Sequence, residues 1–162
     1  MEDIYLDKLL NNEQILITLS EVFCELTVFH CDFGNDMPEE LDFNNPNHIF
    51  FNTEEDLDVK EFSFKISIYR TPEVHHQERA LYLGKIFSEK YKVRTLVPFI
   101  KPDEPNDPYY CIVFDNGKIY LADDSEVYNL NNKGMVKTLK EYDLPIIEFD
   151  KEAIYKHKKK NY

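Results

Sequence analysis

The clearest periodic pattern in the chain is the alternation of apolar and polar residues between Phe62 and Arg70. One set of alternate positions is apolar (Phe62, Phe64, Ile66, Ile68) and the other is mostly polar (Ser63, Lys65, Ser67, Tyr69). A strand with this pattern buries one face and leaves the other to solvent. The pattern therefore predicts a strand of an antiparallel or mixed sheet with one covered face.

The following segment has the period of an amphipathic helix. Thr71, Pro72 and Glu73 provide an N-cap, a proline at the first helical position and an acid in the first turn. The helix is predicted to run from residue 72 to about residue 90 and to pack on the sheet through one apolar stripe (His76, Ala80, Leu83, Gly84, Phe87, Tyr91). A glycine in that stripe lets the helix approach the sheet closely.

A hairpin is predicted in the second half of the chain. Two β-forming runs, Tyr109–Phe114 and Lys118–Leu121, flank Asp115-Asn116-Gly117. Asn-Gly is a strong hairpin signal because a type I′ turn needs positive φ at both central residues. The segment Val93–Ile100 also reads as a strand, and Pro98 inside it indicates an edge or a bulge.

The remaining elements are less regular. The first helix is expected from Glu2 to about Leu10, ended by Asn11-Asn12. Residues 13–33 fit both periods and are assigned to a helix or extended start at 13–20 and a strand at 22–31. Short strands are expected at 127–130 and 145–149, and a closing helix at 151–159. The order predicts one α+β domain over residues 1–162, with a mainly antiparallel sheet, one principal helix at about 72–90 packed on it, and helices near both termini.

Composition supports one domain with a real core. The chain has 162 residues, 43% of them hydrophobic, and includes 12 Phe and 11 Tyr. Its net charge of −12 is unevenly placed. Residues 1–60 contain 15 acids against two bases (net −13), while residues 61–162 contain 16 acids and 17 bases (net +1). The negative charge is densest between residues 32 and 58.

This charge excludes some partners and favours others. An acidic surface repels nucleic acid and anionic membranes and accelerates encounter with basic proteins. No run of about 18 apolar residues predicts a membrane span. The acidic start of the chain lacks the basic and apolar parts of a signal peptide, which predicts a cytoplasmic protein with its three cysteines reduced.

Candidate chemistry is sparse. Cys24, His30 and Cys31 lie close in sequence, and His75 is next to His76, but neither set has the spacing of a zinc site. Cys24 and Cys31 lie among acids that oppose a reactive thiolate, and Cys111 lies within a strand. No serine lies in a nucleophile motif. The sequence therefore predicts no catalytic residue, no metal site and no cofactor.

Binding to a basic protein is the favoured function. The acids of the segment between residues 32 and 58 would steer such a partner, and outward-facing tyrosines would anchor it. A stiff, exposed loop, Pro102–Pro108, is a third feature that would serve binding. The predicted partner-binding residues are Asp36, Glu39, Glu40, Asp42, Glu54, Glu55, Asp56, Tyr69 and Tyr109.

The size, the acidic charge and the helix–strand–hairpin layout around Asp115-Asn116-Gly117 resemble small acidic immunity proteins of bacterial toxin systems. The resemblance implies a non-catalytic inhibitor that neutralises a basic toxin or enzyme, and the abundance of Asn, Lys, Ile and Tyr fits a bacterial genome rich in AT. The alternative is a small-molecule-binding or regulatory domain, with a pocket between the main helix and the sheet lined by His76, Tyr82 or Tyr110.

Overall fold

A computed structural model of the chain describes residues 1–35, 37–55, 57, 60–128 and 134–156. In these ranges the elements are β1 (Glu2–Leu6), α1 (Asn12–Val22), β2 (Thr27–His30), β3 (His48–Glu54), β4 (Phe64–Tyr69), α2 (His76–Tyr91), β5 (Thr95–Pro98), β6 (Tyr110–Asp115), β7 (Lys118–Asp123), a short 3₁₀ helix (Ser125–Tyr128) and β8 (Lys137–Glu141).

The strands form one sheet in the order β2-β3-β4-β1-β5-β6-β7-β8. Only β2 and β3 are parallel among the pairs in the described ranges. The N-terminal strand β1 lies in the middle, between β4 and β5. The α+β class and the mainly antiparallel sheet are therefore confirmed.

The two faces of the sheet differ. Helix α2 packs on β1, β5 and β6, and α1 lies beside β2. Between the helices and the sheet lies the main core, which includes Ile4, Leu6, Leu19, Phe51, Ile66, Phe87 and Ile112. We call the opposite side the open face. There, loops rather than helices cover two smaller apolar clusters, one around Phe62 and Leu96 and one around Phe50 and Leu41.

Three local predictions agree with the structure. In β4, Phe64, Ile66 and Ile68 belong to the main core, as predicted. Phe62, which was predicted on the same face, precedes the strand and lies in the cluster on the open face. The hairpin between β6 and β7 turns at Asn116 and Gly117, with φ of 48° and 78°. In α2, a Cβ added to Gly84 would lie 2.8 Å from Val97 Cγ2, so the glycine does allow the close approach that the pattern indicated.

The predicted helix over Glu2–Leu10 is wrong, because residues 2–6 form β1. Glu2, Ile4 and Leu6 are buried on one face, so the segment alternates as a strand does. Asn11 begins a helix rather than ending one. Its Oδ1 accepts a hydrogen bond from Gln14 N (2.8 Å), and its own N donates to Gln14 Oε1 (3.0 Å), which is a capping box.

The helix boundaries after β4 and at the chain end also differ from the prediction. Helix α2 begins at His76, not at Pro72, and its N-cap His75 has a left-handed conformation. Thr71 does not cap it because its hydroxyl donates to the buried Glu2 carboxylate at 2.8 Å. The described part of the predicted closing helix, 151–156, contains a turn and a bridge between Phe149 and Tyr155. The rest of that prediction lies outside the described residues.

Pro98 lies in the interior of the sheet, since β5 is between β1 and β6. Phe99 N donates to Tyr110 O on β6, so the nitrogen of Pro98 faces β1 and has no proton to offer it. The residue pairs between β1 and β5 are Tyr5↔Leu96 and Leu6↔Thr95. Pairing therefore stops before Pro98, and the two strands separate there.

Candidate partner-binding surface

The loop from residue 31 to residue 47, which connects β2 to β3 and is here called the acidic loop, covers one end of the open face. Cys31 and Leu41 from the loop and Phe50 from β3 form a buried cluster. Phe50 stacks on Tyr69 with ring centroids 4.9 Å apart, and Phe33 meets both rings edge-on, at 5.9 and 5.4 Å. The loop is thus built on an aromatic platform.

Arg70 holds the C-terminal end of this loop through hydrogen bonds to backbone carbonyls. Its Nε donates to His48 O (3.0 Å), and its Nη2 donates to Phe43 O (2.9 Å) and Asn45 O (3.1 Å). The guanidinium carbon also lies 5.3 Å from the centroid of the Phe43 ring. One side chain that follows β4 therefore satisfies two loop carbonyls and the first carbonyl of β3, which would otherwise need water.

The loop also holds itself through short-range hydrogen bonds. Asp32 Oδ1 accepts from Gly34 N (3.1 Å) and Asp42 Oδ1 accepts from Asn44 N (2.8 Å). The bond from Gly34 N, followed by one from the Asn35 side chain, lowers the pKa of Asp32 below its ordinary value. These turns explain how a segment with little regular structure keeps a defined shape.

The acidic loop presents apolar groups beside its acids. Phe33 is 56% exposed, Phe43 55% and Met37 42%. Glu39, Glu40 and Asp42 are exposed in the same loop. Large apolar side chains open to solvent on the same loop as exposed carboxylates make the acidic loop a candidate binding surface.

The structure brings some predicted partner-binding residues together. Glu39, Glu40 and Asp42 lie on the acidic loop, and Tyr69 lies under it, half-buried by Phe33 and Phe50. Glu54 ends β3 and forms an ion pair with Lys65 (2.6 Å), and Glu55 follows it on the surface. Asp36 and Asp56 lie outside the described residues.

Tyr109 lies at the other end of the open face. It precedes β6, is 40% exposed and has its ring 6.3 Å from that of Tyr128. Ile100 (61% exposed) follows β5 near the same end. Three sheet steps separate β4, which ends at Tyr69, from β6. At about 4.8 Å a step, Tyr69 and Tyr109 mark two regions about 14 Å or more apart rather than one cluster.

Asp124 is a half-buried acid at the Tyr109 end. Its N donates to Tyr109 O (3.0 Å), and its carboxylate Oδ1 is buried with no hydrogen-bond partner among the described residues. Burial, followed by the nearby charge of Asp123, raises its pKa to about 6. Protonation of this carboxyl therefore favours the folded state, and that stabilisation is lost as the pH rises through about 6.

Replacing Asp124 by asparagine, which imitates the protonated acid, is expected to raise the free energy of unfolding at pH 7.5 by about 1–2 kcal/mol. The gain over the wild type should shrink as the pH falls towards 4, where the native carboxyl is itself protonated. Urea titrations of both proteins across this pH range would measure it. A gain that does not change with pH would contradict the assignment.

A cavity of about 330 Å³ lies where β1 and β5 separate. Its lining includes Asp3, His76, Gln77, Val97 and Phe99, so it reaches from the N-terminal end of α2 into the sheet. Of the pocket residues predicted for a small-molecule site, His76 lines this cavity. Tyr82 instead packs near Phe149 (5.8 Å between centroids), and the Tyr110 hydroxyl donates to Glu104 Oε2 (2.7 Å).

The described residues contain no group of three His, Cys, Asp or Glu side chains arranged to hold a metal ion. Cys24 is exposed, whereas Cys31 and Cys111 are buried. Burial raises the pKa of the Cys31 thiol, and burial next to Asp124 raises that of Cys111 more strongly. Within the same ranges, the helices are too short or too polar to cross a bilayer.

The main residues that sequence reasoning missed are Phe33, Phe43 and Arg70. Two phenylalanines placed singly in an acid-rich segment carry no periodicity, so nothing predicts a buried face for them. That isolation is itself a usable signal, because an aromatic residue outside any apolar pattern is a candidate surface anchor. The role of Arg70 depends on contacts with residues 22 to 27 positions earlier in the chain, which a local pattern cannot reveal.

Comparison with known proteins adds no information about this surface. No protein-family model matches the chain, and no curated protein or solved structure matches it.

Proposed function

We propose that this chain is a non-catalytic protein-binding module that uses the acidic loop and the adjoining open face to bind a basic protein, in the manner of an immunity or inhibitor protein. The observation that carries the proposal is a preformed loop with exposed aromatic rings and acids, locked by Arg70. A surface that needs no ordering on binding loses less entropy on association.

The charge distribution supports a basic partner. Glu39, Glu40 and Asp42 are exposed on the loop, and the described residues give them no ion pair. Such carboxylates remain available to steer a cationic surface during encounter. The aromatic groups beside them would then supply affinity through burial.

The test is the association rate constant with a strongly basic protein whose gene adjoins that of this chain. Reversing the loop charges (Glu39→Lys, Glu40→Lys and Asp42→Lys together) should slow association at least tenfold at 50 mM salt, and much less at 500 mM. The matched control reverses three exposed acids on the helix-covered side, Glu13, Glu89 and Glu148, and so changes net charge equally. If both triple variants slow association alike, the effect is one of net charge and the proposed surface is wrong.

A second candidate function is the binding of a small molecule in the cavity between α2 and the sheet. The cavity of about 330 Å³ that Asp3, His76 and Gln77 line supports it. A thermal-shift screen of small metabolites would test it against an Ala80→Leu variant, which narrows the cavity. A ligand that raises the melting temperature of both proteins equally would argue against this cavity as its site.

A further inference from the structure

The three arginines of the chain all use the same kind of contact. Their guanidinium carbons lie 5.3 Å (Arg70), 4.9 Å (Arg79) and 5.1 Å (Arg94) from the centroids of Phe43, Phe149 and Phe62. Two of the three arginines also form an ion pair with a carboxylate: Arg79 with Glu2 and Arg94 with Asp7. The planar guanidinium can stack on a ring and bind a carboxylate together, which an ammonium group does less well.

Phe33 is a ring on which an arginine of a partner could stack in the same way. Its ring is held by edge-on contacts to Phe50 and Tyr69 and still has more than half of its surface exposed. No lysine or arginine of the described chain lies over it. The adjacent Asp32 carboxylate is fixed by Gly34 N and Asn35 Nδ2, and its lowered pKa keeps it ionised.

We infer that the basic partner presents an arginine, whose guanidinium stacks on the Phe33 ring and pairs with the Asp32 carboxylate. This inference rests on the proposed function and names the chemistry of its partner. Asp32 accepts one hydrogen bond on each oxygen, which leaves a lone pair on each for a second donor. Glu39, Glu40 and Asp42 on the same loop add a negative field that favours a cation there.

The test compares capped hexa-arginine with capped hexa-lysine, which carry the same charge. Each is titrated into the ¹⁵N-labelled full chain at 50 mM salt, and the amide shifts of residues 31–47 are followed. Hexa-arginine is expected to bind about two- to fivefold more tightly than hexa-lysine, the range of an exposed cation–π contact. Capped hexa-glutamate should cause no shifts.

The Phe33→Leu variant keeps an apolar side chain and removes the ring, so its preference for hexa-arginine over hexa-lysine should be smaller than that of the wild type. Tyr128→Leu, which removes another exposed ring (65% exposed), should keep the preference for arginine. Asp32→Asn should weaken hexa-arginine binding more than hexa-lysine binding.

The outcomes separate this inference from the proposed function. Equal binding of both peptides by the wild type, with loss in the triple Glu39, Glu40 and Asp42 charge reversal, would overturn the arginine inference and leave the acidic surface intact. An arginine preference that Phe33→Leu leaves undiminished would also overturn it. Failure of both peptides to bind would overturn the inference and weaken the proposed function with it.

Discussion

Replacing Arg79 by methionine should lower the free energy of unfolding by about 3–5 kcal/mol, because it deprives the buried Glu2 carboxylate of its guanidinium partner. The Thr71 hydroxyl and the partly exposed His76 ring, 2.8 and 2.9 Å from the carboxylate, would remain as its partners. Arg79 and Glu2 are each 1% exposed, and Nη1 of the arginine lies 2.5 Å from Glu2 Oε1. The guanidinium also donates to the carbonyls of Pro72, Val74 and Ala153 at 3.0–3.2 Å. It therefore ties together β1, the segment before α2 and the C-terminal segment. Urea unfolding followed by circular dichroism at pH 7 would measure the loss.

Two comparisons isolate the cause of that loss. Arg94→Met removes a half-buried arginine with a looser pair to Asp7 (3.3 Å) and should cost about 1 kcal/mol or less. The double variant Glu2→Leu with Arg79→Met removes both buried charges and should be more stable than Arg79→Met alone. A double variant that is less stable than the single one would show that lost packing, rather than the unpaired charge, dominates.

Phe50→Ala should lower the free energy of unfolding by about 3–4 kcal/mol and should also loosen the acidic loop. Phe50 is 6% exposed, and its ring contacts Tyr69, Phe33 and Phe43. Truncation removes the centre of the platform on which the loop rests. Hydrogen exchange should then be faster at the loop amides of Leu41 and Asn45, which donate to Pro38 O and Asp42 O at 3.1 Å.

The matched control for this prediction is Phe50→Leu, which keeps most of the apolar volume and should cost much less. Amides of the β6–β7 hairpin provide an internal reference, since they lie at the far side of the sheet. If the exchange of loop and hairpin amides accelerates equally in Phe50→Ala, the change is global and the loop does not depend on this platform.

Sequence reasoning succeeded where the cause was local. The Asn116-Gly117 turn follows from the conformational preferences of its two residues. The strand β4 follows from an alternation of apolar and polar residues that is visible within a few positions. Gly84 was placed on the correct face of α2 because the helical stripe continues on both sides of it. Together these elements were enough to predict the α+β class and the mainly antiparallel sheet.

It failed where distant residues decide the local structure. The local pattern puts Glu2 in a helix, whereas in the structure it is a buried residue of β1 that pairs with Arg79, 77 residues later. The same carboxylate accepts a hydrogen bond from the Thr71 hydroxyl, so Thr71 does not provide the expected helix cap. In the candidate site, the acids were visible in the sequence, whereas Phe33, Phe43 and Arg70 gained their roles from contacts across the open face.

The central position of β1 affects how the chain folds during synthesis. Among the strands of this sheet β1 is made first, yet its neighbours are β4 and β5, which end at residues 69 and 98. At about 5–20 residues per second, its edges stay unpaired for several seconds while those strands are made. The strands β6 and β7 are adjacent in sequence, so their hairpin can form as soon as both have been made. Ile4 and Leu6 therefore lack their neighbours in the sheet until those later strands have been made.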